Sequence, residues 1–347
     1  MVKKLSNNLS KKTLPQTPLT LQEQIPMKTE KAHEKVQHCP MVKNIYIPPI
    51  PTRGIQIKKT IPLFRAFQIE NEAATKFMAL CVLSNYVQNN EDKSVSGTLI
   101  STWETDKTRT LNRFFNVKGI LVETDLTYIG IVSHVLPKIE NGEIKTLIIP
   151  DMVKTIMKKQ ATMHNFIGIL NNLIEEGVYG ITLRDTRDFH GARANLLTSM
   201  TPSLLYQNKL MWNNMGFLSR FLPFTYSYTE QKKNAIQEAI AKGNVLEPKP
   251  IDLKLPVFPA QVRLPKKIAL KTIPLVKRLT ETERAKYTDK DGNECLTKEG
   301  YGFRHQHQLQ TLLRANALFR GDTKVTVKDY REIERLSRWI NYDFNYL

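Results

Sequence analysis

The stretch Ser101-Thr-Trp-Glu-Thr-Asp-Lys-Thr108 decides which fold the chain can adopt. It follows an apolar run over residues 95–101 that is typical of a buried strand, and it precedes a polar helical pattern that begins near Lys107. A strand, a short loop and a helix in this order form the repeating unit of parallel α/β sheets. The stretch therefore predicts an α/β core with this loop between a strand and a helix.

The same alternation of short apolar runs and helix-like segments continues along the chain and predicts a parallel sheet with helices on both faces and right-handed connections. The predicted strands cover residues 95–101, 119–123, 146–149, 180–183 and 195–198. The predicted helices cover residues 63–89, a segment starting near 107, and residues 129–139, 163–176, 204–221 and 229–242. Thr162 and Gly177 mark the ends of the strongest helix, because Thr is a good N-cap and Gly a common C-terminal stop.

Composition divides the chain into four parts. Residues 1–60 carry eleven Lys and Arg against three Glu, and they predict a disordered basic arm. Residues 61–245 form the predicted α/β core, and the Pro-rich residues 246–265 form a predicted linker. The remaining residues, 266–347, predict an all-helical lid domain with helices at 266–284, 303–320 and 327–342, the last of which begins with a variant capping box of Thr326 and Asp329.

The balance of 51 basic and 33 acidic side chains gives a formal charge of +18, which favours a polyanionic partner. Nucleic acid, and DNA in particular, is the expected partner, while an anionic membrane surface and plain solubility are the alternatives. No apolar run reaches the roughly 20 residues that a membrane span requires, so we expect a cytoplasmic protein without a membrane partner. The three Cys are far apart and His305 and His307 lack companions, so the spacing suggests neither a disulfide framework nor a zinc site.

In content, the opening stretch matches the phosphate-binding loop G-x-x-x-x-G-K-[ST] at its last two positions. In the intact motif, backbone N–H groups surround the phosphates, the Lys reaches the β- and γ-phosphates, and the hydroxyl binds Mg²⁺. Lys107 and Thr108 keep these two groups, whereas Ser101 and Asp106 replace the glycines. These four residues are the predicted nucleotide-binding residues, and ATP with Mg²⁺ is the expected ligand.

Three residues further along extend this predicted site. Asp151 follows the strand 146–149, where a carboxylate would hold Mg²⁺ together with Thr108, although a capping Asp is the alternative. Thr198 ends another strand, where a small polar group would orient an attacking water, and an ordinary turn is the alternative. Arg220 is a lone cation in an apolar segment, and its anionic partner would be either a structural Glu or the phosphate of a neighbouring subunit.

This order of a loop, an Asp-terminated strand, a small polar strand end and an Arg after a helix resembles the AAA+ P-loop ATPases. The stretch His307-Gln-Leu-Gln-Thr-Leu-Leu-Arg-Ala-Asn-Ala-Leu-Phe-Arg-Gly-Asp-Thr-Lys-Val-Thr-Val-Lys-Asp329 is similar to the helical lid of their MoxR and minichromosome-maintenance helicase branches. The similar regions cover about residues 95–222 and 300–340. The resemblance implies ATP and Mg²⁺ as cofactors, assembly into a homo- or hetero-oligomer, and action on DNA in replication or mobile-element maintenance.

The resemblance also implies roles for single residues. The sensor contact to the γ-phosphate falls on His307, with Arg304 one helical turn earlier as a substitute, and Arg220 corresponds to a finger that acts on a neighbouring subunit. The usual catalytic base after Asp151 is missing, because Met152 stands there.

Taken together, these departures predict an AAA+-like protein that acts on DNA, with weakened nucleotide binding and with ATP hydrolysis left open. Glu175 and Glu176 are an alternative source of a base, but the pattern favours solvated side chains at a helix end. The alternative for the whole chain is a non-catalytic DNA-binding or scaffold subunit descended from an ATPase.

Overall fold

A computed structural model of the protein describes residues 69–88, 93–153, 160–182, 186–243 and 250–344, all of which belong to one compact unit. The arm predicted for residues 1–60 lies outside the described residues. Within these ranges, none of the helices has the length and apolar character needed to cross a membrane.

Eleven strands are described. They are β1 (Val87–Gln88), β2 (Ser96–Ile100), β3 (Ile120–Val122), β4 (Thr146–Ile149), β5 (Val178–Thr182), β6 (Thr186–Ala192), β7 (Asn195–Met200), β8 (Phe221–Thr225), β9 (Ala260–Gln261), β10 (Lys286–Thr288) and β11 (Glu294–Leu296).

The α-helices are α1 (Ile69–Ser84), α2 (Lys107–Asn112), α3 (Tyr128–Gly130), α4 (Leu136–Glu140), α5 (Gln160–Asn171), α6 (Pro202–Asn214), α7 (Glu230–Ala241), α8 (Lys266–Ala269), α9 (Ile273–Glu283), α10 (Phe303–Phe319) and α11 (Val327–Leu336). A π-helical turn joins α3 to α4, another extends α5 to Glu176, and a 3₁₀ turn joins α8 to α9.

A five-stranded sheet with the order β3-β4-β7-β2-β8 lies at the centre of the structure, and every pair in it is parallel. All residues of β2, β4, β7 and β8 are buried, as expected for parallel strands that are covered on both faces. The chain moves one way along the sheet from β2 to β3 and the other way from β7 to β8. Right-handed connections therefore put α2 and α6 on opposite faces. The predicted parallel α/β class is confirmed.

Helix α1 packs directly on β2 and β7 and also contacts α2 and α10. The approach to β2 is close at Gly97, where a Cβ atom would lie 3.0 Å from a ring carbon of Phe77 and 3.1 Å from the sulfur of Cys81. A glycine in a strand interior marks such an approach by a neighbouring element. The α1–β2 contact therefore depends on the absence of a side chain at this position.

The predicted helix over residues 204–221 is wrong after Asn214. Helix α6 ends at Asn214, Gly216 follows in the left-handed region at φ 65°, and Phe221–Thr225 forms β8. The run is apolar on both faces, so periodicity alone cannot distinguish a buried strand from a buried helix. Pro223 is tolerated because β8 is an edge strand and pairs only with β2.

The predicted strand over residues 180–183 is also assigned to the wrong sheet. It corresponds to β5, which pairs antiparallel with β6 in a separate two-stranded sheet. Only three residues separate the two strands, and a parallel pair needs a connection of a dozen or more residues. Chain length between the strands therefore decides the pairing.

The C-terminal part contains the three predicted helical regions, but it is not all-helical. Strands β10 and β11 form an antiparallel hairpin between α9 and α10, with Lys286 opposite Leu296. Before these helices, Ile251, Leu253 and Val262 in and around the predicted linker are buried, and β9 pairs with β1. The described residues of this segment thus pack against the rest of the unit.

The C-terminal residues attach to the edge strand β8. The backbone N–H of Thr225 donates to the carbonyl of Trp339 at 2.7 Å, and its hydroxyl donates to the carbonyl of Asn341 at 2.5 Å. The Trp339 ring stacks on Phe224 with centroids 5.7 Å apart, and the hydroxyl of Tyr342 donates to the carbonyl of Leu218. This segment uses backbone groups that β8 would otherwise leave unpaired.

Asp329 ties the last two helices together. Its carboxylate is fully buried and accepts hydrogen bonds from Asn316 at 2.8 Å, from Arg320 at 2.7 Å and from the backbone N–H of Thr326 at 2.7 Å. Burial alone would raise the pKa of Asp329, but the bonds from Arg320 and Thr326 outweigh it and lower the pKa. The capping box predicted at Thr326 and Asp329 is confirmed.

Replacing Asp329 tests this anchor. We expect Asp329→Ala to lower the free energy of unfolding by about 3 kcal/mol, because it leaves Arg320 and Asn316 without their buried acceptor. The matched control is Asp322→Ala, which removes a half-exposed carboxylate that also contacts Arg320 and should change stability by about 0.5 kcal/mol or less. Urea unfolding followed by circular dichroism measures both, and equal effects would contradict this role.

Candidate functional site

The loop of residues 101–108, called the 101–108 loop below, joins β2 to α2. Asp106 directly precedes α2 with φ 59° and ψ 21°, and Glu104 has φ 62°. In the described part of the chain, these are the only non-glycine residues at positive φ. This conformation costs most side chains roughly 1–2 kcal/mol, although Asp tolerates it better than most. Asp106 therefore adopts the backbone shape that a glycine would adopt here.

Two tyrosines after β8 fix the loop backbone. The hydroxyl of Tyr226 donates to the carbonyl of Thr105 at 2.7 Å, and the hydroxyl of Tyr228 donates to the same oxygen at 3.1 Å. In return, the hydroxyl of Ser101 donates to the carbonyl of Tyr226 at 2.5 Å. Ser101 is fully buried, so its side chain stabilises the start of the loop and is not exposed to solvent.

Lys107 folds back over the loop. Its Nζ donates to the carbonyl of Ser101 at 2.8 Å and to the carbonyl of Thr102. Burial lowers the pKa of Lys107 to about 8, while the negative charge of Asp151 acts in the opposite direction. The amine is thus held by the carbonyls of the loop, and it loses its proton at a lower pH than the amine of an ordinary lysine.

The ends of β4 and β7 lie beside the loop and are linked to each other. Asp151 follows β4 and its Oδ1 accepts the backbone N–H of Val153 at 2.9 Å. The hydroxyl of Thr198 donates to the carbonyl of Ile149 at 2.7 Å, and Thr198 is fully buried. The side chain that the sequence predicts to orient a water therefore bonds to a neighbouring strand in this structure, while Asp151 remains partly exposed.

The structure thus brings five of the predicted site residues to one edge of the sheet. These five follow the ends of β2 and β4: Ser101, Asp106, Lys107, Thr108 and Asp151. Thr198 lies inside the adjacent strand β7, which continues to Met200. The described residues contain no group of three or more His, Cys, Asp or Glu side chains that could hold a metal ion. A magnesium ion at Thr108 and Asp151 would therefore take its remaining oxygen ligands from water and from a bound phosphate.

The other three predicted residues lie at the opposite edge. Arg220 directly precedes β8, and Arg304 and His307 line a cleft together with Ser94, which precedes β2. All five strands are parallel, so this is the edge where they begin. Strand β2 has five residues and spans about 17 Å, so the two groups of side chains do not form one site within a single chain.

Arg220 has the structural Glu partner that the sequence offers as one alternative. Its Nε lies 3.0 Å from Glu175, its Nη2 lies 2.7 Å from Glu176, and its side chain is 10% exposed. Glu175 also contacts Arg304 at 2.7 Å and Lys93 at 3.5 Å. Burial raises the pKa of Glu175, but these cations outweigh it and lower the pKa. The expectation of a solvated side chain is wrong for Glu175, which is buried.

Sequence reasoning overlooks the residues that shape the 101–108 loop. Tyr226 and Tyr228 alternate with Phe224 at the period of a strand, and this alternation is the signal that could have revealed them. The helix predicted over residues 204–221 obscures this alternation, because it ends directly before Leu222. Trp103 is also overlooked, and its side chain is 75% exposed in the loop.

Comparison with protein-family models gives no match, and comparison with curated proteins gives no significant match.

The unusual environment of Lys107 can be measured directly. We expect its amine to react half-maximally with an acetylating reagent at about pH 8, because it is protonated below that value. Ordinary lysines reach this point near pH 10.4. Asp151→Asn should move the midpoint to lower pH, because it removes the charge that stabilises the ammonium. Mass spectrometry of labelled peptides measures the titration.

The control for this titration is Asp322→Asn, which removes a carboxylate that pairs with Arg320 and should leave the Lys107 midpoint unchanged. An ordinary lysine midpoint for the wild-type protein, or no response to Asp151→Asn, would contradict the geometry.

Proposed function

We propose that the chain is a P-loop protein of the AAA+ type that acts on DNA and binds Mg-ATP only weakly. One observation carries the proposal: Asp106 takes up the left-handed backbone of a loop glycine directly before Lys107 and helix α2. This is the backbone that a phosphate-binding loop needs, and here it is present without the glycine.

The position of the loop in the sheet supports the same proposal. In open parallel sheets, ligands bind outside the carboxyl ends of the strands, where the chain reverses its direction along the sheet. The reversal here lies between β2 and β7, and the 101–108 loop follows β2 at that point. Asp151 follows β4, which is separated from β2 by β7, and its negative charge raises the pKa of Lys107. Such an interaction is expected for two side chains that bind the same phosphate and its Mg²⁺.

Weak binding follows from the charges in the loop. Asp106 and Glu104 are both exposed carboxylates on the loop itself. A carboxylate about 4 Å from a phosphate charge is repelled by about 4 kcal/mol at an effective dielectric near 20, on the order of a thousandfold in affinity. Arg109 lies 3.6 Å from Asp106 and offsets a part of this repulsion. In addition, a phosphate would have to replace the loop carbonyls as the partner of Lys107.

The position after Asp151, where the AAA+ resemblance places the catalytic base, carries no carboxylate, and this favours the second candidate, a non-catalytic DNA-binding or scaffold subunit. Met152 follows Asp151 and is fully buried, so it supplies no proton acceptor. Glu175 and Glu176 lie at the opposite edge of the sheet and are paired with Arg220, so neither reaches the loop. A role of Arg220 on the phosphate of a neighbouring subunit would require its release from both carboxylates.

DNA is proposed as the partner on the strength of charge. The chain carries a formal charge of +18, and cations that neutralise phosphates gain free energy by releasing counterions. Assembly into a homo- or hetero-oligomer is part of the AAA+ proposal and rests on the same resemblance.

Titration of Mg-ATP into the protein tests the phosphate loop. We expect Asp106→Gly to raise the affinity at least tenfold, because it removes the repelling carboxylate and keeps the backbone shape. The matched variant Asp106→Asn removes the charge and retains a side chain that tolerates positive φ, so it should give most of this gain. Isothermal titration calorimetry measures both.

Low-micromolar binding by the wild-type protein would contradict the weak-site proposal. No gain in either Asp106 variant would show that the loop is not a phosphate cradle.

Phosphate release distinguishes the enzyme from the scaffold. If the chain is non-catalytic, we expect wild type and Lys107→Ala to release phosphate from ATP at the same background rate, with DNA and without it. A DNA-stimulated rate that Lys107→Ala abolishes would establish an ATPase and exclude the scaffold, because Lys107 is the cation that would reach the phosphates.

A further inference from the structure

Two aromatic rings lie exposed at the start of α10. Tyr301 is 90% exposed and Phe303 is 71% exposed, and their rings stack with centroids 5.6 Å apart and an interplanar angle of 13°. Gly302 between them has φ 74°, and a Cβ atom there would lie 2.5 Å from a methyl carbon of Val276. The turn therefore packs closely against α9. This contact fixes the position of the two rings, although the rings themselves lie mostly outside the core.

A cationic cleft begins beside these rings. It has a volume of about 310 Å³ and lies at the amino edge of the sheet, so we call it the amino-edge cleft. Phe303 belongs to its lining, and so do four cations and one carboxylate: Lys93, Arg220, Arg304, Arg314 and Glu175. Glu175 lies within 4 Å of three of these cations, and Glu176 adds one further carboxylate to Arg220. The cleft thus has more positive than negative charge.

Arg314 is a cation of the cleft for which the described residues supply no carboxylate partner. It is partly buried, and within the described ranges its guanidinium makes no hydrogen bond or ion pair with another side chain. Burial lowers the pKa of Arg314, and no carboxylate counters that effect. A partly buried guanidinium is stabilised by an anionic partner, so Arg314 is suited to bind an anion that enters the cleft.

Arg304, His307 and Arg314 line the cleft along one helix. Arg304 and Arg314 are ten residues apart, which corresponds to about 15 Å along α10. This distance accommodates more than one phosphate of an extended strand. The first turn of α10 contains no acidic residue, so nothing there repels an anion.

We propose that Tyr301, Phe303 and the amino-edge cleft bind single-stranded nucleic acid. Unpaired bases stack on the exposed rings, and the backbone phosphates beside them contact Arg304 and Arg314. Aromatic platforms next to a cationic groove are the arrangement that binds single strands without sequence preference, because every base presents a π-face. In a duplex the bases are stacked on each other, so the rings favour the single strand.

This proposal deepens the DNA-binding part of the proposed function and is independent of its nucleotide-binding part. The amino-edge cleft and the 101–108 loop lie at opposite edges of the sheet, so variants of one leave the other intact.

The test is fluorescence anisotropy with a labelled oligothymidylate of about 20 nucleotides and a duplex of the same length. We expect the double variant Tyr301→Ala/Phe303→Ala to bind the single strand at least tenfold more weakly, with a smaller effect on the duplex. Arg314→Ala should weaken single-strand binding and reduce the slope of log affinity against log salt by about one.

Two variants serve as matched controls. Phe258→Ala removes another ring that is 78% exposed but does not line the cleft, and it should leave binding unchanged. Lys233→Ala removes an exposed cation on α7, which follows β8 at the opposite edge, and it should not weaken the single strand preferentially. Unfolding midpoints equal to wild type would show that the exposed-ring variants remain folded.

Unchanged single-strand affinity in the folded double variant would overturn the proposal, and so would an equal loss in Phe258→Ala. If removal of residues 1–60 abolishes all binding while the cleft variants bind as wild type, the inference fails and the DNA-binding proposal stands. Absence of any nucleic-acid binding by the full chain contradicts both.

Discussion

The structure depends on the burial of β2 between β7 and β8. This strand is hydrogen-bonded on both sides, all of its residues are buried, and Gly97 lets α1 approach it closely. The end of β2 sets where the 101–108 loop begins, and its pairing with β8 brings Tyr226 and Tyr228 to the loop carbonyl that they hold. The same pairing places Arg220 at the start of β8, beside Glu175. Both edges of the sheet are therefore fixed by one strand.

The two edges differ in charge in a way that bears on function. At the carboxyl edge, the loop carries Glu104 and Asp106, and the amine of Lys107 is occupied by backbone carbonyls. At the amino edge, cations outnumber carboxylates and Arg314 has no partner among the described residues. A polyanion is thus opposed at the first edge and favoured at the second. Under our proposals, the loop is a weakened nucleotide site and the amino-edge cleft is the place where nucleic acid binds.

The sequence predicted correctly those elements that are determined by residues close together in the chain. The strand of β4 is predicted residue for residue, and the capping box at Thr326 and Asp329 is found as expected, because both depend on neighbours in sequence. Strand β5 was placed in the parallel sheet and strands β6 and β8 were not predicted, since which strands pair depends on connection length and on distant partners. Among the site residues, spacing suggested Lys107 and Asp151 as a pair, whereas the hydrogen-bond partners of the Lys107 amine are the carbonyls of Ser101 and Thr102.

The sequence by itself determined the α/β class, the position of the loop between strand and helix, and the excess of positive charge. Only the tertiary structure decided which predicted residues share a site. Thr198 lies inside β7, which continues to Met200, and its hydroxyl donates to the carbonyl of Ile149 in the adjacent strand. Arg220 could have faced a ligand or a carboxylate, and the fold placed Glu175 and Glu176 against it. The partner of a polar side chain is set by which elements the sheet brings together, and this information does not reside in neighbouring residues of the chain.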